Sequence, residues 1–310
     1  MMTTETVAIA TGGRTRRRPH RALGRENLAG WLFAAPAIIG FAVFFVWPAL
    51  RGAYFSFTKY NLLTEPEWIG VDNYTRMFAD GVFWNALGVT AYYVLLNIGF
   101  QTLLALGVAV LLHRLTQSLV IRGIALLPYM IANVIAALVW FYLFDYQIGP
   151  VNEMIAWFGL DRIAFLGDQT WAIPTIAFIN VWRHLGYTAL LIFAGLQMIP
   201  RDVYEAGAID GAGEGRMFRS ITLPLLRPVL AMVLVITVTG AFQVFDTVAV
   251  TTGGGPVNST RVINYYIYDV AFTRGDFGYG SALAVALFAL LAVFTYIQLR
   301  ATRANQTDLG

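Results

Sequence analysis

The sequence predicts an all-α integral membrane protein with about six transmembrane helices. Three observations predict it: a composition poor in charge, a series of long uncharged apolar runs, and arginines gathered at alternate ends of those runs. Of 310 residues, 58% are hydrophobic and 13% are charged, and the mean hydropathy is +0.63. Soluble domains carry about 25% charged residues, so an ordinary soluble protein is excluded.

A helix needs about 20 apolar residues to cross the hydrocarbon core. The first uncharged run, 28–50, follows a basic N-terminal segment, 1–27. It is too long for a signal peptide, lacks a small-residue cleavage pattern, and is followed by further spans, so it reads as a retained helix. The next runs are 84–112, 123–144, 171–196 (interrupted by Arg183 and His184), 229–250 and 279–299, with a tail at 300–310. The segments 1–27, 113–122, 197–228 and 300–310 hold fourteen of the basic residues: Arg14, Arg16, Arg17, Arg18, Arg21, Arg25, Arg114, Arg122, Arg201, Arg216, Arg219, Arg227, Arg300 and Arg303. The opposite segments hold six: Arg51, Lys59, Arg76, Arg162, Arg261 and Arg274. The positive-inside rule therefore predicts both termini in the cytoplasm. The external loops are too short for a domain of their own, and Trp47, Trp68, Trp84, Trp140, Trp157 and Trp171 fall near external span ends, as interfacial aromatics do.

Several function classes have no residues to support them. There is no cysteine, and the three histidines are widely separated, so neither a thiolate site nor a metal-ligand spacing is present. No GxxxxGK[ST] occurs, and "GAGEGR" is not a nucleotide loop. A net charge of +3 argues against an extended nucleic-acid surface. A membrane enzyme would need acids or histidines clustered at one interface, and none is legible. A self-contained secondary transporter would show internal inverted repeats or coupling charges near midplane, and Arg183, His184 and Asp246 alone offer such charges.

The cytoplasmic passage 197–228 is polar and glycine-rich between two apolar spans. Four acids (Asp202, Glu205, Asp210, Glu214) balance four arginines (Arg201, Arg216, Arg219, Arg227), so it is no simple ionic anchor for lipid. Gly207, Gly211 and Gly215 recur every four residues. Each costs a helix about 1 kcal/mol relative to alanine, which points to a turn or a close approach. The passage reads as helix, turn, helix up to Pro224. It is either a solvated connector or a surface fitted to a second protein.

Polar groups inside spans usually face a bundle interior or cavity. Those legible here are Asn97 and Gln101 (spaced i,i+4), Asn133, Asn180, Arg183, His184, Gln243 and Asp246. Asn and Gln also join helices without any ligand, and Arg183 could pair with Asp246. The segments "NVWRHLGY" (180–187) and "AFQVFD" (241–246) mix rings with hydrogen-bonding groups, as a sugar site requires.

With Glu205, Ala206, Gly207, then Gly211 after three residues, then Ile221, Leu223 and Pro224 after nine more, the loop resembles the signature of permease subunits of binding-protein-dependent ABC importers. It departs at Gly207, where the family usually has a second alanine. "AIDGAG" (208–213), "FRSITLPLLRP" (218–228), "FDTVAVTTGGGPVNST" (245–260) and Pro48, Ser56, Phe57, Gly70, Asn73 and Tyr74 resemble the carbohydrate branch of that family. The resemblance implies a non-catalytic subunit in a bacterial inner membrane, in contact with lipid. It would pair with a sister permease, two copies of a cytoplasmic ATPase and an extracytoplasmic binding protein. This chain would hold no cofactor, ATP and Mg being bound by the ATPase. Glu205 and Asp210 would hold the docking helix or its contacts, Gly211 would make the turn, and Pro224 would start the return to the membrane. The maltose permease of that family has its sugar site in regions matching Gly186, Tyr187, Phe242 and Gln243. Asn180, Arg183 and Asp246 complete the expected substrate path. A buried arginine would also suit glycerol 3-phosphate or its diesters, and an amino-acid or peptide permease of the same superfamily is the nearest alternative.

Overall fold

The computed structural model describes residues 22–115 and 118–304. The expectations placed on Arg14, Arg16, Arg17, Arg18 and Arg21 and on 305–310 lie outside the described residues. The chain divides into two units after Gly52. The N-terminal unit is one helical run, α1 (Ala22–Phe41), a π turn (Ala42–Val46) and the start of α2 (Trp47–Phe55).

The second unit opens with a two-stranded antiparallel hairpin, β1 (Thr58–Lys59) and β2 (Glu67–Trp68). The pattern residues of this segment tie it together. Asn73 Nδ2 donates to the carbonyls of Ser56 and Thr58, both at 2.9 Å, and Ser56 Oγ lies 2.7 Å from Tyr74 Oη. Gly70 takes φ +62°, which suits glycine. The short α3 (Asp72–Ala79) leads into α4 (Gly81–Leu115). At 35 residues, α4 is about 52 Å long, well beyond an apolar layer of about 30 Å.

The third apolar run is not one straight span. It forms α5 (Leu119–Met130) and α6 (Asn133–Leu143), bent by 88° at a short break. Pro128 lies in the last turn of α5, where its ring displaces a backbone donor. After α7 (Pro150–Trp157) comes α8 (Ala172–Gln197), which packs along α4 through small residues. Ala105, Ala109 and Ala189 are fully buried there beside Leu112, Ile192 and Phe193, as close helix packing in membranes requires. On another face α8 meets α5 at Gly186, where any Cβ would overlap the Ala125 carbonyl.

The charged passage forms α9 (Arg201–Ile209), α10 (Glu214–Met217), a π turn (Phe218–Thr222) and α11 (Leu223–Leu225). The fifth run is α12 (Arg227–Phe242), interrupted at 243–245 before α13 (Asp246–Thr251). Then follow α14 (Ile263–Tyr268) and α15 (Phe277–Ala304). Among the described residues, five helices are long and apolar enough to cross a membrane, or six if the bent α5–α6 pair counts as one span. That agrees with a multi-pass all-α fold.

A polar network closes the hairpin end of the second unit. The Asp80 carboxylate, between α3 and α4, accepts from Tyr266 Oη, from Tyr279 Oη at 2.7 Å and from the Val82 amide at 2.8 Å. Partial burial pushes its pKa up, but these hydrogen bonds outweigh burial and hold it below the ordinary 3.8. Burial and the bond to Asp80 push Tyr266 up to about 12. A carboxylate with a depressed folded pKa adds stability above its unfolded value, and that stability is lost as pH falls through the folded value. The stability that Asp80 contributes should therefore be lost only below about pH 4, where the thermal midpoint should fall. Asp80→Asn should lower the midpoint at neutral pH and remove the part of the acid dependence that Asp80 carries. A midpoint unchanged by the substitution at both pH values would rule out the contribution.

Candidate functional site

The second unit holds a half-open cavity of about 210 Å³ bounded by α4, α5, α8 and α12. Its polar wall begins on α4. Tyr93, Asn97 and Gln101 follow one another at four-residue steps, so they rise along one helix face. Asn97 Nδ2 donates to Gln101 Oε1 at 2.9 Å, and Gln101 Nε2 donates to Thr188 Oγ1 on α8 at 2.7 Å. Tyr93 Oη donates more weakly to Asn97 Oδ1 at 3.4 Å. All four side chains are buried. The ladder satisfies the polar groups that an apolar environment would otherwise penalise.

Another part of the lining is aromatic. Tyr129 on α5 and Tyr187 on α8 stack with ring centroids 4.5 Å apart and planes 10° apart. His184 lies edge-on to Tyr129. Its Nδ1 sits 2.9 Å from the Asn180 carbonyl and its Nε2 is 3.0 Å from Arg183 Nη1. Arg183 can only donate, so Nε2 accepts and the ring proton sits on Nδ1.

The expected path residues fall in different places. Asn180 and Tyr187 line the cavity. Gly186 is the crossing point of α8 and α5. Arg183 does not line the cavity. Its Nε donates to the Ile131 carbonyl at 2.8 Å and its Nη2 to the Tyr129 carbonyl at 3.1 Å, at the broken end of α5. Asp246 accepts from Asn133 Nδ2 at 3.0 Å. Arg183 and Asp246 form no ion pair within 4 Å among the described residues. Phe242 is packed in a core cluster with Tyr93, Ile176 and Val248. Gln243 ends α12 with its side chain exposed.

Tyr93, Tyr129, Thr188 and Thr237 also line the cavity and were not expected. Tyr93 had a signal, because it extends the Asn97–Gln101 spacing by one step. Tyr129 follows Pro128, the mark of a helix end. Thr188 and Thr237 are too common in spans to stand out.

In the loop, α9 ends in a Schellman turn: Ala212 N donates to Gly207 O at 2.9 Å and Gly211 N to Ala208 O at 3.0 Å. This places Gly211 at φ +75°, the position where glycine is preferred. Tyr204 Oη lies 3.0 Å from Thr222 Oγ1, tying α9 to the π turn. At Gly207 an added Cβ would come 2.8 Å from Ile221 Cδ1. The glycine makes room for the Ile221 side chain rather than for a backbone, so the two letters match each other. Glu205, Ala206 and Asp210 are exposed, and Ile209 is 85% exposed. Ile221, Leu223 and Pro224 are half-buried. Glu214 pairs with Arg114 at 2.6 Å, joining α10 to the end of α4.

Comparison with known proteins gives this geometry a family. Residues 101–304 match the model of the binding-protein-dependent transport system inner membrane component. The chain is 36% identical over 281 residues to the sulfoquinovosyl glycerol transport system permease protein of Agrobacterium fabrum, covering 90% of this chain and 91% of that one. It is 34% identical to the trehalose/maltose transport system permease protein of Thermococcus litoralis, covering 90% and 95%. It is also similar to a chain in the crystal structure of a bacterial ABC transporter involved in import of the acidic polysaccharide alginate. There the TM-score is 0.81 at 26% identity, over 92% of this chain and 99% of that chain. The ladder, the bent α5–α6 pair and the glycine-turned loop thus sit in a member of the binding-protein-dependent inner-membrane transport components, and this chain is a non-catalytic permease subunit of an ABC importer.

Proposed function

We propose that the cavity is part of the path of a sugar-type solute that carries no charge where it meets this wall. The observation that carries the reading is the lining itself. It offers amides, hydroxyls and stacked rings, with no Asp, Glu, Lys or Arg among the lining residues. Rings cover the apolar faces of a sugar and amides meet its hydroxyls. A glycerophosphate would call for a cation facing the cavity, and Arg183 is committed to two backbone carbonyls instead. The trehalose/maltose relative supports a neutral carbohydrate; the sulfonate of a sulfoquinovosyl glycerol, the solute named for another relative, would have to lie away from this wall. The test is thermal stabilisation of the cognate binding protein by trehalose, maltose, sulfoquinovosyl glycerol and glycerol 3-phosphate. Stabilisation by glycerol 3-phosphate alone would overturn the sugar reading.

In the same proposal the loop 197–228 faces the cytoplasm with both termini, and α9 is the helix that docks on an ATPase. A sister permease completes the path, two ATPase copies bind ATP and Mg, and the binding protein delivers solute from outside. The exposed acids Glu205 and Asp210, without ion pairs among the described residues, and the exposed Ile209 support a surface awaiting a partner. Gly211 fixes the turn, and the half-buried Ile221, Leu223 and Pro224 seat the helix on the spans. Glu205→Ala should leave membrane insertion intact and remove most of the ATP hydrolysis stimulated by loaded binding protein. Uptake by this chain without an ATPase would sink the docking reading.

A further inference from the structure

A break inside an apolar layer exposes backbone groups that lipid cannot satisfy. α5 ends at Met130, so the carbonyls of its last turn have no donor within the helix. Arg183 supplies donors from α8. Its Nε and Nη2 reach the carbonyls of Ile131 and Tyr129, while Nη1 meets His184. A planar guanidinium can bridge acceptors in this way, and an ammonium cannot reproduce the fork. The same cation lies 5.3 Å from the centroid of the Tyr129 ring, and that ring forms the cavity wall by stacking on Tyr187. Across the break, Asn133 at the start of α6 donates to Asp246 at the start of α13. Asn180 Nδ2 donates to Thr247 Oγ1 at 3.2 Å. The third span is therefore pinned on both sides of its bend.

An arginine in an apolar layer is costly and usually functional. The straightforward role, contact with an anionic solute, does not fit a side chain turned to backbone carbonyls. We infer that Arg183 is a positioning residue for transport: by capping the severed end of α5 it holds the Tyr129 ring in the cavity wall, and it does not itself meet the solute. The inference rests on the reading of the cavity as part of the path.

The test uses the whole transporter in proteoliposomes, with saturating loaded binding protein and radiolabelled trehalose, or the panel sugar that stabilises the binding protein most. Tyr129→Ala and Tyr187→Ala should each slow uptake about ten-fold, the scale of one lost aromatic contact. Arg183→Gln should slow it by a similar factor, with Arg183→Lys intermediate. ATP hydrolysis without binding protein should stay unchanged in the two Arg183 variants. Because Arg183 acts through Tyr129, the double variant Arg183→Gln with Tyr129→Ala should be within about two-fold of Tyr129→Ala alone. If Arg183→Gln does not assemble, Arg183→Lys and its double variant carry the comparison.

Assembled Arg183 variants with normal uptake, or a double variant that multiplies the two losses, would overturn the inference. So would failure of both Arg183 variants to assemble, which would mark the residue as structural alone. If neither tyrosine variant affects uptake, the path reading fails and the inference falls with it. If the tyrosines matter and Arg183 does not, the inference alone fails.

Discussion

Gly186→Ala is expected to abolish assembly of the permease. At this position α8 lies against the backbone of α5, and a Cβ would overlap the Ala125 carbonyl oxygen and its carbon. A clash with the end of a flexible side chain can be relieved by a rotamer change. A clash with backbone requires one helix to move. Overpacking of a well-packed core costs about 1–3 kcal/mol when side chains can yield, and here the obstacle is a helix held by Arg183 on the neighbouring turn. The measurement is the yield of monodisperse protein on size exclusion after solubilisation, with Gly107→Ala as control. Gly107 is also in a long helix, but nothing lies within 4 Å of its added Cβ, so the control should fold. Equal yields for the two variants would refute the close crossing.

Gln101→Leu is expected to stop uptake while leaving the chain in the membrane. Gln101 occupies the middle of the ladder, accepting from Asn97 and donating to Thr188. Leucine fills similar space but orphans the Asn97 donor and the Thr188 acceptor. Each buried polar group left without a partner costs about 1–3 kcal/mol. The loss is also chemical, because one of the two ladder amides that line the cavity becomes apolar. The expected readout is a lower thermal midpoint together with uptake near background in proteoliposomes. Binding-protein-independent ATP hydrolysis should persist, since α9 and its turn lie outside the ladder. Normal uptake by Gln101→Leu would remove the ladder from the path.

The long spans were legible because the requirement for 20 apolar residues leaves little choice. The loop was legible because its glycines and acids stand out against apolar flanks, and Gly211 indeed takes the left-handed turn that its placement suggested. The bend between α5 and α6 was not. Residues 123–144 are continuously apolar, and apolarity alone does not distinguish a straight span from two halves meeting at 88°. Pro128 was the available sign, but prolines also occur in unbroken membrane helices. The cavity was partly legible: Asn97, Gln101, Asn180 and Tyr187 are polar or amphipathic residues in apolar runs. Phe242 and Gln243 followed from resemblance to a relative, and in this chain one is packed in the core and the other is exposed. Which partner a polar group meets depends on helix rotation, which spacing does not fix. Arg183 illustrates this, since charge suggested Asp246 or an anion while the structure gives it two carbonyls.

The bend also bears on how the protein is made. α5 has 12 residues and α6 has 11, about 18 and 17 Å of helix, and neither half alone spans about 30 Å of hydrocarbon. The side chains that pin the break belong to α8 and α13, which leave the ribosome later than the halves they hold. The α5–α6 segment is therefore synthesised before the side chains that pin its bend, which arrive with α8 and α13. A nascent chain truncated before residue 183 should accordingly carry this segment in a different conformation from the finished protein. Biogenesis of the cavity would then be an event of the late chain, completed by residues the ribosome has not yet added when the first wall is already in place.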